Sequence, residues 1–259
     1  MDLKYINQTI VDGVGWIQFN RPEKMNAVNP DVLKELETAV IVCEENEQVR
    51  SVVLMGNEKA FVAGADIDHM AKAGIGDAYR LTDLTMRVQE RLADLPKPTI
   101  AAISGYALGA GCEIALCCDF RIAADNVVLG LPEITLGIIP GGGGTQRLTR
   151  LIKSGAAARM ILLGETVKSS EALSIGLVDS VVAWSELEDE ARHLCSKLAR
   201  MPGLALRAAK TAMRRGLNTS LKEGLQIEQS LFCMLFGTRD QKEGMAAFIE
   251  KRKPVYKGE

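Results

Sequence analysis

Two glutamates lie in parts of the sequence that are otherwise apolar and rich in glycine. Glu113 follows Ala110-Gly-Cys at the predicted start of a helix, and Glu133 lies in the apolar stretch 130–137. Burial disfavours a charged carboxylate, so we expect raised pKa values, and two neighbouring carboxylates would titrate in separate steps. Such a pair suits general acid/base catalysis. The residues alone also allow a plainer interpretation, with Glu113 stabilised by the helix dipole and Glu133 solvated in a turn.

Two loops rich in glycine and alanine could contribute backbone hydrogen-bond donors to the same site. The segment Val62-Ala-Gly-Ala-Asp66 leads into a predicted helix, and Gly109-Ala-Gly111 opens another. Amides at the start of a helix have no acceptor within the helix, so each loop can direct a free N–H at a ligand. Two such amides would form an oxyanion hole. Taken singly, each loop is explained as well by close packing of a helix on a sheet, with Asp66 as a helix cap.

Three common kinds of site are not supported by the sequence. The run Gly141-Gly-Gly-Gly144 lacks the Lys-Ser/Thr of a phosphate loop and fits no GxGxxG frame, so we interpret it as a flexible turn before a helix. The histidines, His69 and His193, are far apart, and the six cysteines show no CxxC spacing, which argues against a metal site. We expect most of the cysteines to be buried, reduced thiols.

Alternating strands and helices are expected to position these loops. Residues 59–67 are interpreted as an apolar loop, and residues 105–113 as a turn of small residues that opens a helix. The recurrence of strand, turn and helix without a fixed period predicts an α/β fold of ββα-like units rather than a strict solenoid. Apolar runs predict strands that begin near Val14, Ser51, Thr99, Phe120 and Val178.

The pattern becomes helical from Ser185 onward. We therefore divide the chain into a core with the site, residues 1–195, and a helical region, residues 196–259. The apolar faces of this region exceed what a small lobe can bury, which favours packing on another subunit over docking within the chain. From residue 185 onward, three segments have the form of a capping box, namely Ser185-x-x-Glu188, Ser220-x-x-Glu223 and Thr238-x-x-Gln241.

The composition limits the class of protein. With 31 basic and 33 acidic residues in 259, the net charge of -2 argues against nucleic acid as a partner. The sequence does not begin with a basic segment and an apolar run, and no apolar run reaches the roughly 20 residues that span a membrane. We expect a cytoplasmic protein without a membrane partner.

Five motifs together resemble the enoyl-CoA hydratase (crotonase) family, within the enoyl-CoA hydratase/isomerase superfamily. This resemblance implies a spiral of ββα units with a C-terminal helical trimerisation region, assembled as a homotrimer or as a hexamer of two trimers. The motifs are Asn20-Arg-Pro22 with Asn26-Ala27, Ala63-Gly-Ala-Asp-Ile67, Gly105-Tyr-Ala-Leu-Gly-Ala-Gly-Cys-Glu113, Pro132-Glu133 with Gly137-x-x-Pro140, and Gly143-Gly-Thr-Gln-Arg147.

The resemblance also implies roles for individual residues. Glu113 and Glu133 match the catalytic carboxylates, and Ala65 and Ala110 match the residues whose amides form the oxyanion hole, although many relatives have glycine in place of Ala110. Leu131, Phe232 and Phe248 are expected in the acyl pocket, and Lys24, Lys59, Ala63, Asp66, Ile67 and Lys251 at the bound coenzyme A.

The implied reaction is the reversible addition of water to a 2-enoyl-CoA, which gives a 3-hydroxyacyl-CoA. It requires no metal or redox cofactor, since coenzyme A is part of the substrate. A hydratase of a cyclic dienoyl-CoA from anaerobic aromatic degradation would have the same motifs. An enoyl-CoA isomerase is disfavoured because both glutamates are present, and a non-catalytic scaffold that binds coenzyme A is the remaining alternative.

Overall fold

The computed structural model describes residues 3–259. Within this range the chain forms the strands β1 (Ile6–Val11), β2 (Val14–Phe19), β3 (Ser51–Met55), β4 (Ala60–Val62), β5 (Thr99–Ile103), β6 (Tyr106–Leu108), β7 (Phe120–Ala124), β8 (Val128–Gly130), β9 (Thr166–Lys168) and β10 (Ser180–Val182). The α-helices are α1 (Pro30–Glu45), α2 (Ile67–Met70), α3 (Ile75–Asp94), α4 (Ala110–Ala115), α5 (Gly144–Leu151), α6 (Ser154–Leu162), α7 (Ser169–Ser174), α8 (Leu187–Ala199), α9 (Gly203–Gly216), α10 (Leu221–Leu235) and α11 (Arg239–Ile249).

The strands form two sheets that share the same repeating unit. The large sheet has the order β1-β2-β3-β5-β7-β10, and the small sheet the order β4-β6-β8-β9. From β2 to β10 the neighbours in the large sheet are parallel, as are β4, β6 and β8 in the small one. Three times in succession, one strand enters the large sheet, the next enters the small sheet, and helix follows. This topology confirms the expected α/β spiral of ββα units.

The second strand of each of the first two units lies where no strand was predicted. β4 lies within residues 59–67, which we interpreted as a loop, and β6 lies within residues 105–113, which we interpreted as a turn. Each has only three residues, too few to show the two-residue alternation that identifies a strand. They become strands because β4 hydrogen-bonds to β6 and β6 to β8, and these three segments are distant from one another in sequence.

Helices cover both faces of the large sheet. On one face, Trp16 and Ile100 pack with Leu187 and Ala191 of α8, and on the other the strands pack with α1 and α3. Burial on both faces explains why the central strands are continuous apolar runs. Because α8 extends through residue 195, the boundary drawn between residues 195 and 196 falls inside this sheet-covering helix.

Two of the three predicted capping boxes cap a helix. The hydroxyl of Ser220 accepts a hydrogen bond from the amide of Glu223 at the start of α10, and Thr238 does the same for Gln241 at the start of α11. The prediction for Ser185 is wrong, because this residue lies inside the 3-10 helix Trp184–Glu186 and α8 begins without a side-chain cap. The 3-10 turn removes Ser185 from the capping position.

The last three helices leave much apolar surface exposed. α9 is joined to the core by an ion pair of 2.7 Å between Lys210 Nζ and Asp119 Oδ2, and α10 packs against α9. Exposed apolar side chains in this region include Met213, Leu217, Leu221, Leu225, Phe232, Met234, Phe248 and Ile249.

The described residues contain no helix that is both long and apolar enough to cross a membrane.

Five of the six cysteines are buried and all are free thiols, which confirms that most are buried and reduced, whereas Cys233 is exposed.

Candidate active site

Glu113 is almost completely buried, with 2% of its surface exposed. It lies on α4, and its Oε1 accepts hydrogen bonds of 2.8 Å from the amides of both Gly142 and Gly144. Burial raises the pKa of this carboxyl, while the two amides and the charge of Arg147 act in the opposite direction. The interpretation of Glu113 as only a helix-start carboxylate is therefore wrong. One of its oxygens is fixed and the other, Oε2, is left for chemistry.

The glycine run that we interpreted as a flexible turn holds this glutamate in place. A β-carbon on Gly142 would lie 2.6 Å from Glu113 Oε2, and one on Gly144 would lie 2.9 Å from Leu131 Cδ1. Side chains are therefore excluded at both positions, and the bare backbone can approach the carboxylate. The sequence did contain a signal, since a run of glycines before a helix offers free amides.

Glu133 lies in the 3-10 helix Pro132–Leu136, and its environment differs from that of Glu113. Its Oε2 is buried and has no hydrogen-bond partner among residues 3–259. Burial, together with the negative charge of Glu113, raises the pKa of Glu133 to about 7. The carboxyl faces Gly109, where a β-carbon would lie 3.1 Å from Glu133 Oε1. Near neutral pH this group is therefore partly protonated and can donate a proton.

The two glycine-alanine loops lie side by side next to Glu133. A β-carbon on Gly109 would lie 3.8 Å from the α-carbon of Gly64, and both glycines have positive φ, at 50° and 126°. Positive φ favours glycine, so these residues shape the loops.

The residues that follow these glycines have free backbone amides. Within residues 3–259, the N–H groups of Ala65 and Ala110 donate to no protein acceptor. The neighbours of Ala65 bond to Val28, through Val28 N to Gly64 O at 2.9 Å and Asp66 N to Val28 O at 2.8 Å. This pairing turns the amide of Ala65 away from Val28. Free amides in adjacent loops are the kind of donor that an oxyanion hole requires.

The segments expected to contact coenzyme A include the turn at Lys24, the residues around Lys59 and the loop 63–67 that carries Ala65. The amide of Ala63 donates to the carbonyl of Met25 at 3.1 Å, which joins the Lys24 turn to the loop that carries Ala65. Lys59 lines a cleft of about 470 Å³ together with Met25 and Tyr106. Lys24 forms an exposed ion pair of 2.7 Å with Asp68.

Asp66 and Ile67 have different environments, although they are adjacent. Asp66 Oδ2 is paired with Arg21 Nη1 at 2.7 Å, so its carboxylate fastens the loop to the Arg21 turn. Burial alone would raise the pKa of Asp66, but the hydrogen bond and charge of Arg21 outweigh it and the pKa is lowered. Ile67 begins α2 and is half exposed.

The three residues expected in the acyl pocket differ in their surroundings. Leu131 is fully buried beside Gly144, next to Glu113. Phe232 and Phe248, on α10 and α11, are 60% and 85% exposed, so the described chain does not enclose either side chain. Lys251 follows α11 and is exposed as well.

Gln89 on α3 is a further polar residue at this site, and our sequence analysis missed it. It is 1% exposed, and its Nε2 has no hydrogen-bond partner among the described residues. Nothing in its local sequence distinguishes it from a glutamine on a solvated helix face.

Within residues 3–259 there is no group of three or more side chains arranged to hold a metal ion.

This chain is similar to known proteins in both sequence and fold. The family model described as enoyl-CoA hydratase/isomerase matches residues 9–259. A probable enoyl-CoA hydratase of Rhizobium meliloti is 47% identical over 244 residues, with 94% of each chain covered. A short-chain-enoyl-CoA hydratase of Clostridium acetobutylicum is 44% identical, with 93% of this chain and 92% of the relative covered.

Solved structures agree with the sequence relatives. The crystal structure of an enoyl-CoA hydratase from Bacillus anthracis matches with a TM-score of 0.94 and 41% identity, covering 99% of this chain and 100% of the other. The match of sequence and fold extends over nearly the whole chain, so the segments that contain both glutamates and both loops lie within the matched range. The chain belongs to the enoyl-CoA hydratase/isomerase family.

Proposed function

We propose that this enzyme adds water reversibly across the C2=C3 double bond of a 2-enoyl-CoA and so forms a 3-hydroxyacyl-CoA. The observation that carries the proposal is the pairing of two buried carboxyls in different environments, Glu113 and Glu133, beside two free amides. The names of the relatives from Rhizobium meliloti and Clostridium acetobutylicum support the same reaction.

The free amides of Ala65 and Ala110 would bind the thioester oxygen. Carbon C3 of an enoyl thioester becomes electrophilic only as negative charge develops on this oxygen. Two preorganised donors stabilise that charge, each by about 3 kcal/mol in comparable sites. Donors of this kind need no side chain, so alanine in place of glycine at position 110 retains the functional group.

Glu113 and Glu133 would move the two protons of the reaction. In hydration, Glu113 Oε2 accepts a proton from water as the water oxygen attacks C3, and Glu133 donates a proton to C2. The double bond is replaced by C3–O and C2–H bonds, and the two carboxyls then exchange protons with solvent. In dehydration the roles are reversed. The amides that hold Glu113 support its charged form, and the orphaned, buried carboxyl of Glu133 supports its protonated form.

Coenzyme A would lie along the edge formed by the Lys24 turn and the loop 63–67. We assign Lys24 and Lys59 to its phosphates, since lysine is a suitable partner for phosphate oxygens. The backbone of Ala63 and the half-exposed Ile67 are assigned to the nucleotide. Asp66 would act by holding this loop to Arg21, because its carboxylate already has a partner.

Phe232, Phe248 and Lys251 would then serve the site of another subunit. Their exposure, together with the apolar faces of α10 and α11, supports a homo-oligomer, which we propose is a trimer or a dimer of trimers. The cytoplasmic location and the independence from added cofactors stay predictions.

The proposal is tested by the loss of conjugated-enoyl absorbance when purified protein is added to crotonyl-CoA. We expect loss with the wild type and a decrease in turnover of at least about a hundredfold in Glu113→Gln and in Glu133→Gln. The control is Glu47→Gln, which changes an exposed carboxylate. Normal turnover in either active-site variant contradicts the two-carboxylate mechanism. No loss with the wild type, although the thioester binds, contradicts a crotonyl-CoA hydratase and redirects the assay to a cyclic dienoyl-CoA.

A further inference from the structure

Gln89 is a buried amide whose two ends have different surroundings. Its Oε1 lies 3.7 Å from Sγ of Cys117, whose thiol has a nearer acceptor in the carbonyl oxygen of Glu113 at 3.2 Å. Its Nε2 lies next to the glycine run and has no partner in the described part of the chain. The amide therefore has its acceptor end toward Cys117 and its donor end toward Gly142.

The unpaired end of Gln89 adjoins the free oxygen of Glu113. A β-carbon on Gly142 would lie 2.7 Å from Gln89 Nε2 and 2.6 Å from Glu113 Oε2, so both atoms lie close to the position that this β-carbon would occupy. Glu113 Oε1 already accepts two backbone hydrogen bonds, whereas Oε2 accepts none from residues 3–259. A free donor therefore lies near a free acceptor, and the two form no direct hydrogen bond in this structure.

Packing alone does not account for a glutamine at this position. A buried amide donor without a partner destabilises a fold, whereas leucine or methionine would fill a similar volume without that cost. Thr85, one turn earlier on α3, contacts the same point only with its methyl group, because its hydroxyl donates to Leu81 O at 2.8 Å. Gln89 is thus the polar side chain that α3 presents to Glu113.

We propose that Gln89 is a positioning residue for Glu113, and that its Nε2 donates a hydrogen bond through one bound water to Glu113 Oε2. The proposal rests on the function proposed above. This third donor holds the carboxylate in the orientation that faces the attacking water and favours its charged form. Hydrogen bonds to a charged acceptor have this effect.

The charges around Glu113 determine the direction of the expected pH effect. Arg147 on α5 favours the charged form, and Glu133 in the 3-10 helix faces the same site and opposes it. The thiols of Cys112 and Cys117 have raised pKa values because they are buried, so they are neutral near pH 7. Removing the Gln89 donor therefore raises the pKa of Glu113, and the acidic limb of the hydration rate moves to higher pH.

The test compares Gln89→Leu and Gln89→Met with the wild type in hydration of crotonyl-CoA from about pH 5 to about pH 9. We expect kcat to fall about tenfold, with KM changed by less than about twofold and the acidic limb moved to higher pH. The alkaline limb, which reports Glu133, stays in place. Thr85→Val is the matched control, since it keeps the shape of a neighbouring side chain and is expected to leave all three quantities unchanged.

A second measurement separates this inference from the proposed reaction. Infrared titration of the free protein follows the protonated carboxyl band that disappears in Glu113→Gln. Its midpoint is expected at higher pH in Gln89→Leu than in the wild type, whatever the substrate is. An unchanged midpoint overturns the proposal. So does a change confined to KM, which would make Gln89 a contact of the acyl chain, or an equal loss of rate at every pH with a lowered melting temperature, which would make its role structural.

Discussion

In the proposed mechanism, the two glutamates have opposite roles because their surroundings differ. Burial raises the pKa of Glu113, whereas two amide donors on one oxygen and the nearby charge of Arg147 act against that rise. Glu133 has a buried oxygen with no donor in residues 3–259, and its pKa is raised to about 7. Under that proposal, two identical side chains would supply a base and an acid.

The raised pKa of Glu133 predicts a specific effect of pH on stability. Its folded-state pKa exceeds the ordinary value near 4.5, so the protonated form stabilises the fold at low pH, and this contribution is lost as the pH rises through about 7. Glu133→Gln cannot ionise. The free energy of unfolding of the wild type, relative to this variant, should therefore fall between about pH 5 and about pH 8, by about 1–2 kcal/mol because solvent screens part of the charge of this partly buried group.

Urea unfolding at several pH values measures this difference. Glu47→Gln, in which the altered group is exposed, is expected to follow the wild type throughout. Parallel curves for the wild type and Glu133→Gln would show that Glu133 has an ordinary pKa in the folded protein.

At the scale of elements, the loops that join strands to helices form the candidate active site. Gly64 and Gly109 let two loops approach closely, and the run 141–144 wraps around Glu113. The strands that precede these loops, β4, β6 and β8, are neighbours in the small sheet. Loops that follow adjacent parallel strands emerge at the same edge, which is why segments distant in sequence form one site.

A methyl group in the wrapping loop is predicted to disrupt the site. In Gly142→Ala the new β-carbon would clash with Glu113 Oε2 and Gln89 Nε2, at 2.6 and 2.7 Å. We expect a loss of stability of about 1–3 kcal/mol. Displacement of the carboxylate should lower kcat by about a hundredfold.

Thermal unfolding and the crotonyl-CoA assay check the two parts of this prediction. Gly141→Ala is the matched control, because its nearest neighbour is the end of the Thr82 side chain at 3.1 Å, which can adjust. Wild-type kcat in Gly142→Ala would mean that the loop moves freely relative to Glu113.

At the scale of the whole molecule, the described chain leaves its last helices only partly covered. Phe232 packs on Phe236 with ring centroids 5.1 Å apart, yet remains largely exposed, and Phe248 is 85% exposed. Exposed apolar surface of this extent is typical of an interface between subunits. A site whose expected acyl-pocket and coenzyme A contacts include these helices would be complete only in an oligomer.

Charged substitutions on this surface are predicted to dissociate the oligomer. In Phe232→Asp and Phe248→Asp a carboxylate would have to be buried without a partner, which is unfavourable. We expect the wild type to sediment as a trimer or larger assembly and both variants to sediment as smaller species with lower activity. Val11→Asp, at the exposed end of β1, is expected to sediment as the wild type does. A wild-type protein that sediments as a monomer would refute the proposed assembly.

Much of the fold was predictable from local sequence, because the signals are local. The apolar runs at Ser51, Thr99 and Phe120 became strands, and Asn29 caps α1 by accepting from the amides of Asp31 and Val32. Each of these features depends on residues within a turn or a strand of one another. The two glutamates and two glycine-alanine loops could be selected as candidates for the same reason, because residue type and neighbours suffice to mark them.

The working details of the site depend on contacts between distant segments. Glu113 accepts a hydrogen bond from the amide of Gly144, which is 31 positions away in the sequence. Gln89, which belongs to another helix, lies close to the same glutamate. No local pattern indicates that a glycine run will hold a carboxylate, that a glutamine will lack a partner, or that three-residue strands will pair. These properties arise from burial and close approach, which exist only once the spiral has brought the segments together.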